Sequence, residues 1–180
     1  MSARHCRSPW FAARAVVTYL VVTSAAEPAE ETAAPRPLLL SLRPRFARAI
    51  LEGTKTVELR RTRLTASSGT LLILYASAPV MSVVGVARLA STVIDTPDSV
   101  WNRYGHFASV SRAEYDQYFV GARLATAVLL DRPRRLESGY SLAELREAQV
   151  KFRPPQSFRY LAEHDPPVLQ HLSDEVLCGA

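Results

Sequence analysis

Cysteine is nearly missing from this chain: 180 residues contain two, Cys6 and Cys178, one near each end. Their spacing outlines neither a disulfide framework nor a zinc site, so the thiols are read as incidental and no metal is expected. Histidine is sparse too, and His5, His106, His164 and His171 are scattered rather than set in a catalytic motif. A long apolar run is lacking. The candidate stretch, Ala15 to Ala26, has 12 residues, against the ~20 that a membrane-spanning helix needs. There is no internal repeat, no low-complexity tract and no helix-turn-helix pattern, so direct promoter binding is not expected. Lysine is the most telling shortage. Of 22 basic residues only Lys55 and Lys151 are lysine. Where arginine has replaced lysine so widely, a retained lysine marks a place for a compact point donor or a group that can change protonation.

What is present fits one small globular domain. Hydrophobic residues make up 48% and charged residues 22%, which is not the composition of a disordered chain. The formal net charge of +5 is unevenly spread. From Arg36 to Tyr160 there are 19 basic and 10 acidic residues, a net of +9, while the tail after Tyr160 has four acids and no Lys or Arg. So basic a body attracts polyanions, and nucleic acid is the commonest of them. A merely solvated arginine surface is the competing explanation. The expected partner is RNA or a nucleotide-like molecule, with no membrane, no cofactor and a cytoplasmic location.

Punctuation along the chain divides it in three. Residues 1–36 read as a leader outside the fold, an over-called start or a disordered extension ending in the Glu- and Pro-rich linker Glu27–Pro37, although a basic start before a short apolar run imitates a secretory signal. Residues 37–161 read as the domain and residues 162–180 as a tail with a peripheral helix. Within the domain, Pro37–Leu42 is fit for a buried strand. Pro44 suits the first turn of a helix carrying Phe46, Ala47, Ile50 and Leu51 on one face, which Gly53 closes. Strands follow at Thr56–Arg61, Thr70–Tyr75 and Val80–Leu89. A short helix over Asp98–Tyr104 comes next, and Ser111-Arg-Ala-Glu114 opens another as a capping box. Ala122–Leu130 reads as a strand ended by Asp131-Arg-Pro133, and Ser141-Leu-Ala-Glu144 is a second capping box. Returning strands with helices set in their connections predict a mixed α+β barrel, not an alternating parallel sheet.

Four segments together carry a resemblance: Leu40-Ser-Leu-Arg-Pro44, Ile50-Leu-Glu-Gly-Thr-Lys-Thr-Val-Glu-Leu-Arg-Arg61, Leu72-Ile-Leu-Tyr-Ala-Ser77 and Val84-Gly-Val86. They resemble the ASCH family, whose hallmark G-x-K-x-x-E-x-R is complete here as Gly53, Lys55, Glu58 and Arg60. The resemblance covers about Pro37 to Leu161. It implies a small PUA-like β-barrel with a cleft beside it, of the kind that related domains use for RNA or a modified base.

Strand alternation projects Glu58 and Arg60 from one face, a carboxylate acceptor beside a guanidinium fork, with Lys55 just before them. Such a group can read a base edge while cations hold the backbone. It can equally be an ion pair that pins the helix to the strand. The candidate binding residues are Arg43, Lys55, Glu58, Arg60, Arg61, Tyr75, Ser77, Gln156, Ser157 and Arg159, with Arg63 extending the basic rim. Trp101, Tyr104 and His106 are assigned to packing. The alternative to a binding module is a hydrolase. Acetylated-cytidine amidohydrolases of this type use a Lys, a Thr nucleophile and a Glu. Lys55 matches the lysine, but Glu58 stands where the Thr would be, so that chemistry is unsupported. A ribonuclease needs only an acid/base pair, which Lys55 and Glu58 can supply.

Overall fold

The apolar run that opens the domain becomes an interior strand of a sheet. The structure, a computed structural model, describes the backbone of residues 35–178 and the side chains of residues 35–172. The leader, apart from Pro35 and Arg36, lies outside the described residues, as do Cys6 and the side chain of Cys178. In chain order the strands are β1 (Leu38–Leu42), β2 (Val57–Arg60), β3 (Leu71–Ala76), β4 (Ser82–Asp95), β5 (Ala125–Ser141) and β6 (Phe158–Tyr160). The helices are α1 (Pro44–Leu51), α2 (Pro97–Tyr104), α3 (Arg112–Phe119), α4 (Leu142–Ala148) and α5 (Pro167–Cys178), with a 3₁₀ turn at Gly105–Phe107.

All six strands form one mixed sheet in the order β2-β5-β4-β3-β1-β6. β1 and β3 run parallel, with Leu38 opposite Leu72, and every other pairing is antiparallel. Leu38, Leu40, Leu42, Leu72 and Leu74 join one core cluster under α1, while Leu39, Leu71 and Ile73 join a second with Leu145, Phe152, Leu161, Leu169 and Leu172. Covered on both faces, β1 and β3 must be apolar throughout rather than alternating, which is why they read as continuous runs. The third cluster packs Val57 and Leu59 of β2 against Val100, Tyr115 and Phe119 from α2 and α3.

The sheet is curled. Four strand spacings of about 4.8 Å separate β2 from β1, roughly 19 Å on a flat sheet. Yet Arg60 on β2 donates from Nη2 to the Ser41 carbonyl on β1 at 2.7 Å, a contact that only a half-closed barrel allows. The α+β architecture and its barrel-like curl are those expected from the sequence.

Some boundaries differ. β5 does not stop at Asp131-Arg-Pro133 but runs on to Ser141, 17 residues beside a β4 of 14. The register slips between Val86↔Arg134 and Arg88↔Asp131, and Arg132 takes φ 46°. Pro133, with no N–H to give, sits in that bulge, where a strand tolerates it. The final helix, expected at the periphery, buries Leu169 and Leu172 in the second core. Arg36, grouped with the leader by sequence, donates to the Leu161 carbonyl at 2.9 Å and lies 5.4 Å from the Tyr160 ring.

Two glycines set α1, which forms one wall of the cleft described next. Gly53 (φ 75°) turns the chain out of the helix, so that Thr54 and Lys55 both donate backbone N–H to Ala49 O at 3.0 Å. Gly85 lets α1 lie close on the sheet. A Cβ there would stand 2.5 Å from Leu51 Cδ2 and 2.7 Å from the Arg134 carbonyl.

Candidate functional site

Lys55 is the most enclosed charge in the described part of the molecule, 2% exposed, at the point where the chain leaves α1 for β2. Its Nζ donates to the Val57 carbonyl at 2.8 Å and the Ala108 carbonyl at 2.5 Å, and pairs with Glu58 Oε2 at 3.1 Å. The Phe46 ring lies 4.8 Å away on another side. All three ammonium hydrogens therefore have protein acceptors. Burial pulls the Lys55 pKa below its ordinary value, and the neighbouring Glu58 charge restores part of the loss. Glu58 turns its other oxygen to Arg60 Nη2 at 3.1 Å. Arg60 in turn reaches Ser41 O and, through Nη1, Ser157 Oγ at 3.2 Å. Alternation along β2 produces this arrangement: Val57 and Leu59 go into the third core, Glu58 and Arg60 to the other side.

That other side is open. Lys55, Glu58 and Arg60 form the floor of a cleft of about 530 Å³. One wall is the start of α1 with Arg43, Arg45 and Phe46; the facing wall is α3 with Glu114, Gln117 and Tyr118. Ser41, Ser77 and Gln156 complete it. The hallmark residues are thus both a packed ion network and the base of a cavity. Two polar atoms on this floor lack a hydrogen-bond partner among the described residues, Arg60 Nε and Ser41 Oγ. A buried donor without an acceptor costs about 1–3 kcal/mol, and an incoming acceptor would relieve that cost.

Of the residues singled out by sequence, Arg43, Lys55, Glu58, Arg60, Ser77 and Gln156 come together at the cleft. Ser157 stands behind Arg60 as its acceptor. Three others lie elsewhere. Tyr75 is 4% exposed in the second core, on the far face of β3, where burial raises its pKa. Arg61 follows Arg60 but points the opposite way and donates to the Val120 carbonyl at 3.2 Å. Arg159 is committed to Asp165 through both Nη atoms, at 2.5 and 2.6 Å. Trp101 packs against Tyr115 with ring centroids 4.9 Å apart, the packing role assigned to it.

Sequence reasoning missed the α3 wall and its latch to α1. Arg45 pairs with Glu114 at 2.5 Å across the mouth and lies over the Phe46 ring at 4.5 Å. Arg45, followed by the capping of Ser111, holds the Glu114 pKa below the usual carboxylate range. The only sequence signal was the capping box, which fixed where α3 starts but not what it faces. Among the described residues no group of three or more His, Cys, Asp and Glu side chains could hold a metal ion, and no helix is long and apolar enough to cross a membrane.

The profile of the ASCH domain matches residues 40–130. An ASCH domain-containing ribonuclease of Zymomonas mobilis is 38% identical over 138 residues, which are 77% of this chain and 93% of that protein. The chain belongs to the ASCH family. The crystal structure of ASCH from Zymomonas mobilis superposes with a TM-score of 0.70 at 36% identity, covering 77% of this chain and 94% of that one. The large ribosomal subunit protein uL22 of Ureaplasma parvum is also similar, 23% identical over 145 residues, though this ASCH chain spans only 45% of it. The curl of the sheet is that of an ASCH domain.

Proposed function

We propose that the cleft takes a nucleotide of single-stranded RNA and that the protein is a ribonuclease. The observation that carries the reading is the cleft floor: an acceptor carboxylate, two cations and two unpartnered polar atoms at the base of a cavity of nucleotide size. The similarity to the Zymomonas ribonuclease adds to it. The unpartnered Arg60 Nε and Ser41 Oγ can bond oxygens of the nucleotide, while Arg43 and the net positive floor attract phosphate.

For cleavage, Glu58 takes the proton of a 2′-hydroxyl, whose oxygen attacks the adjacent phosphorus. The bond to the 5′-oxygen breaks, that oxygen receives a proton from the network headed by Lys55, and a 2′,3′-cyclic phosphate remains. The lowered pKa of Lys55 makes it a readier proton donor than a free lysine, and Arg60 offsets charge building on the phosphorus oxygens.

A second reading is an RNA-binding module that does not cut. It is favoured by the fact that Lys55 spends all its hydrogens on protein acceptors. One experiment separates the two. A 5′-labelled single-stranded RNA is expected to give shorter products ending in cyclic phosphate. Glu58→Gln should slow cutting by about 100-fold or more in protein that still shows a cooperative melt. RNA that is bound but left intact selects the second reading, and neither binding nor cutting at low salt removes both.

A further inference from the structure

The α3 wall does not end where the cleft ends. Tyr118 lines the cleft and is still 45% exposed, Val120 is 69% exposed and Leu124 is 41% exposed. Single exposed apolar residues are ordinary on any surface. Here one stands in the last turn of α3 and two in the short connection that leads into β5, and that connection is a defined shape rather than a slack loop. The backbone N–H of Ala122 donates to Phe119 O at 2.9 Å, and Gly121 takes φ 71° to make the turn. The Tyr118 ring is held edge-on by the buried Phe119, with centroids 4.8 Å apart at 82°. That packing leaves Tyr118 open to solvent.

Cations border this ledge. Arg61 leaves the end of β2 on the side away from the cleft floor and lies over the end of α3, bonded to Val120 O. Arg123 is exposed two residues before β5, whose Thr126 pairs with Arg60. Among the described residues neither Arg61 nor Arg123 has an acidic partner, whereas Asp116 on the same helix is taken by Arg112. An exposed ring face with aliphatic neighbours and unpaired guanidiniums, continuous with a cleft, is the make-up of a stacking platform. Unpaired bases can stack on such a surface, and their phosphates can meet the cations. A duplex offers no free base face to it.

We propose that the ledge of Arg61, Tyr118, Val120, Arg123 and Leu124 carries the single-stranded RNA onward from the cleft. The neighbouring base lies on Tyr118, and the following phosphates sit at Arg61 and Arg123. This rests on the reading that the cleft takes RNA.

The test is the dependence of affinity on RNA length, measured with the full chain by fluorescence anisotropy on a dinucleotide and an octanucleotide of 2′-O-methyluridines, which lack the hydroxyl that cleavage needs. The octanucleotide should bind at least tenfold more tightly. In the double variant Arg61→Gln, Arg123→Gln the dinucleotide should bind as before, within twofold, while most of the length gain disappears. The slope of log affinity against log salt for the octanucleotide should fall by about 1–2. Glutamine keeps a donor for Val120 O, and an unchanged thermal midpoint checks the fold. Tyr118→Ala should weaken the octanucleotide further at any salt. A length gain that survives the double variant overturns the ledge while leaving the cleft reading intact, as does its absence in the wild-type protein. A second copy of the chain as the true occupant would show as a dimer that Tyr118→Ala dissociates, and that too overturns it. Wild-type protein that binds neither RNA sinks the cleft reading, and the ledge with it.

Discussion

Glu58 holds two cations at once, and each of its oxygens has a separate task. Glu58→Gln replaces one acceptor oxygen by an NH₂ that faces a guanidinium or an ammonium, leaving a buried cation unpaired. The expected loss of stability is about 3 kcal/mol, in the range for breaking a buried pair, read from denaturant melts. A change below about 1 kcal/mol would mean that the floor is wetter and looser than the distances imply. Lys55→Arg keeps the charge but not the fit. The ammonium sits among three oxygens and a ring, so the bulkier planar fork must push Phe46 or Ala108 aside, at about 1–3 kcal/mol. The scarcity of lysine had marked this position, and its three-acceptor seat gives the physical reason. Tyr75 was harder to place from sequence. It lies two residues before the cleft residue Ser77, and only the alternation of β3 in a sheet buried on both faces decides which core it enters.

The elements that sequence located well are those stabilised by their own neighbours. Both Ser-x-x-Glu boxes form reciprocal caps, at Ser111 with Glu114 and at Ser141 with Glu144. Both are bonds across three residues and need nothing distant. The cleft wall was not legible, because Arg45 and Glu114 are partners 69 residues apart. The clamp at the end of the domain is nearer in sequence but has no motif to announce it: Arg159 and Asp165, six residues apart, tie the last strand to the turn that starts the last helix. Burial alone would raise the Asp165 pKa, but the bonds from Arg159 and the Ala162 N–H bring it below the ordinary aspartate value of 3.8. The folded chain then binds this proton less readily than the unfolded one. The stabilisation is complete above about that ordinary value and drains away as the pH falls through the depressed one. Asp165→Asn should therefore cost about 2 kcal/mol at neutral pH. It should also flatten the acid limb of stability below pH ~4, as followed by melts at stepped pH. An acid limb identical to that of the wild type would place the clamp among bonds of no consequence.

At the scale of the molecule, composition and the hallmark motif were enough for the fold class, since a basic α+β domain with this motif leaves few architectures. The barrel followed from them as well; the bond across its open seam, Arg60 to Ser41, did not, because nothing local in either segment points to the other. The leader is proposed to add nothing to the fold. A chain beginning at residue 35 retains Arg36 and its contacts to Leu161 and Tyr160, and its thermal midpoint should match the full chain within about 4 °C. A fall of roughly ten degrees would show instead that the leader packs on the domain. The order of the strands has a further effect on how the chain comes into being. Among the described strands β1 is the first to be synthesised, yet one of its neighbours is β3 and the other is β6, and the core it shares with Ile73 is complete only when Leu161, Leu169 and Leu172 have arrived. On the ribosome, Leu38–Leu42 must therefore wait, covered on one side only, until the last helix clears the exit tunnel. The segment most apt to stick to another chain is the one kept waiting longest, and it is there that a nascent-chain chaperone has the most to do.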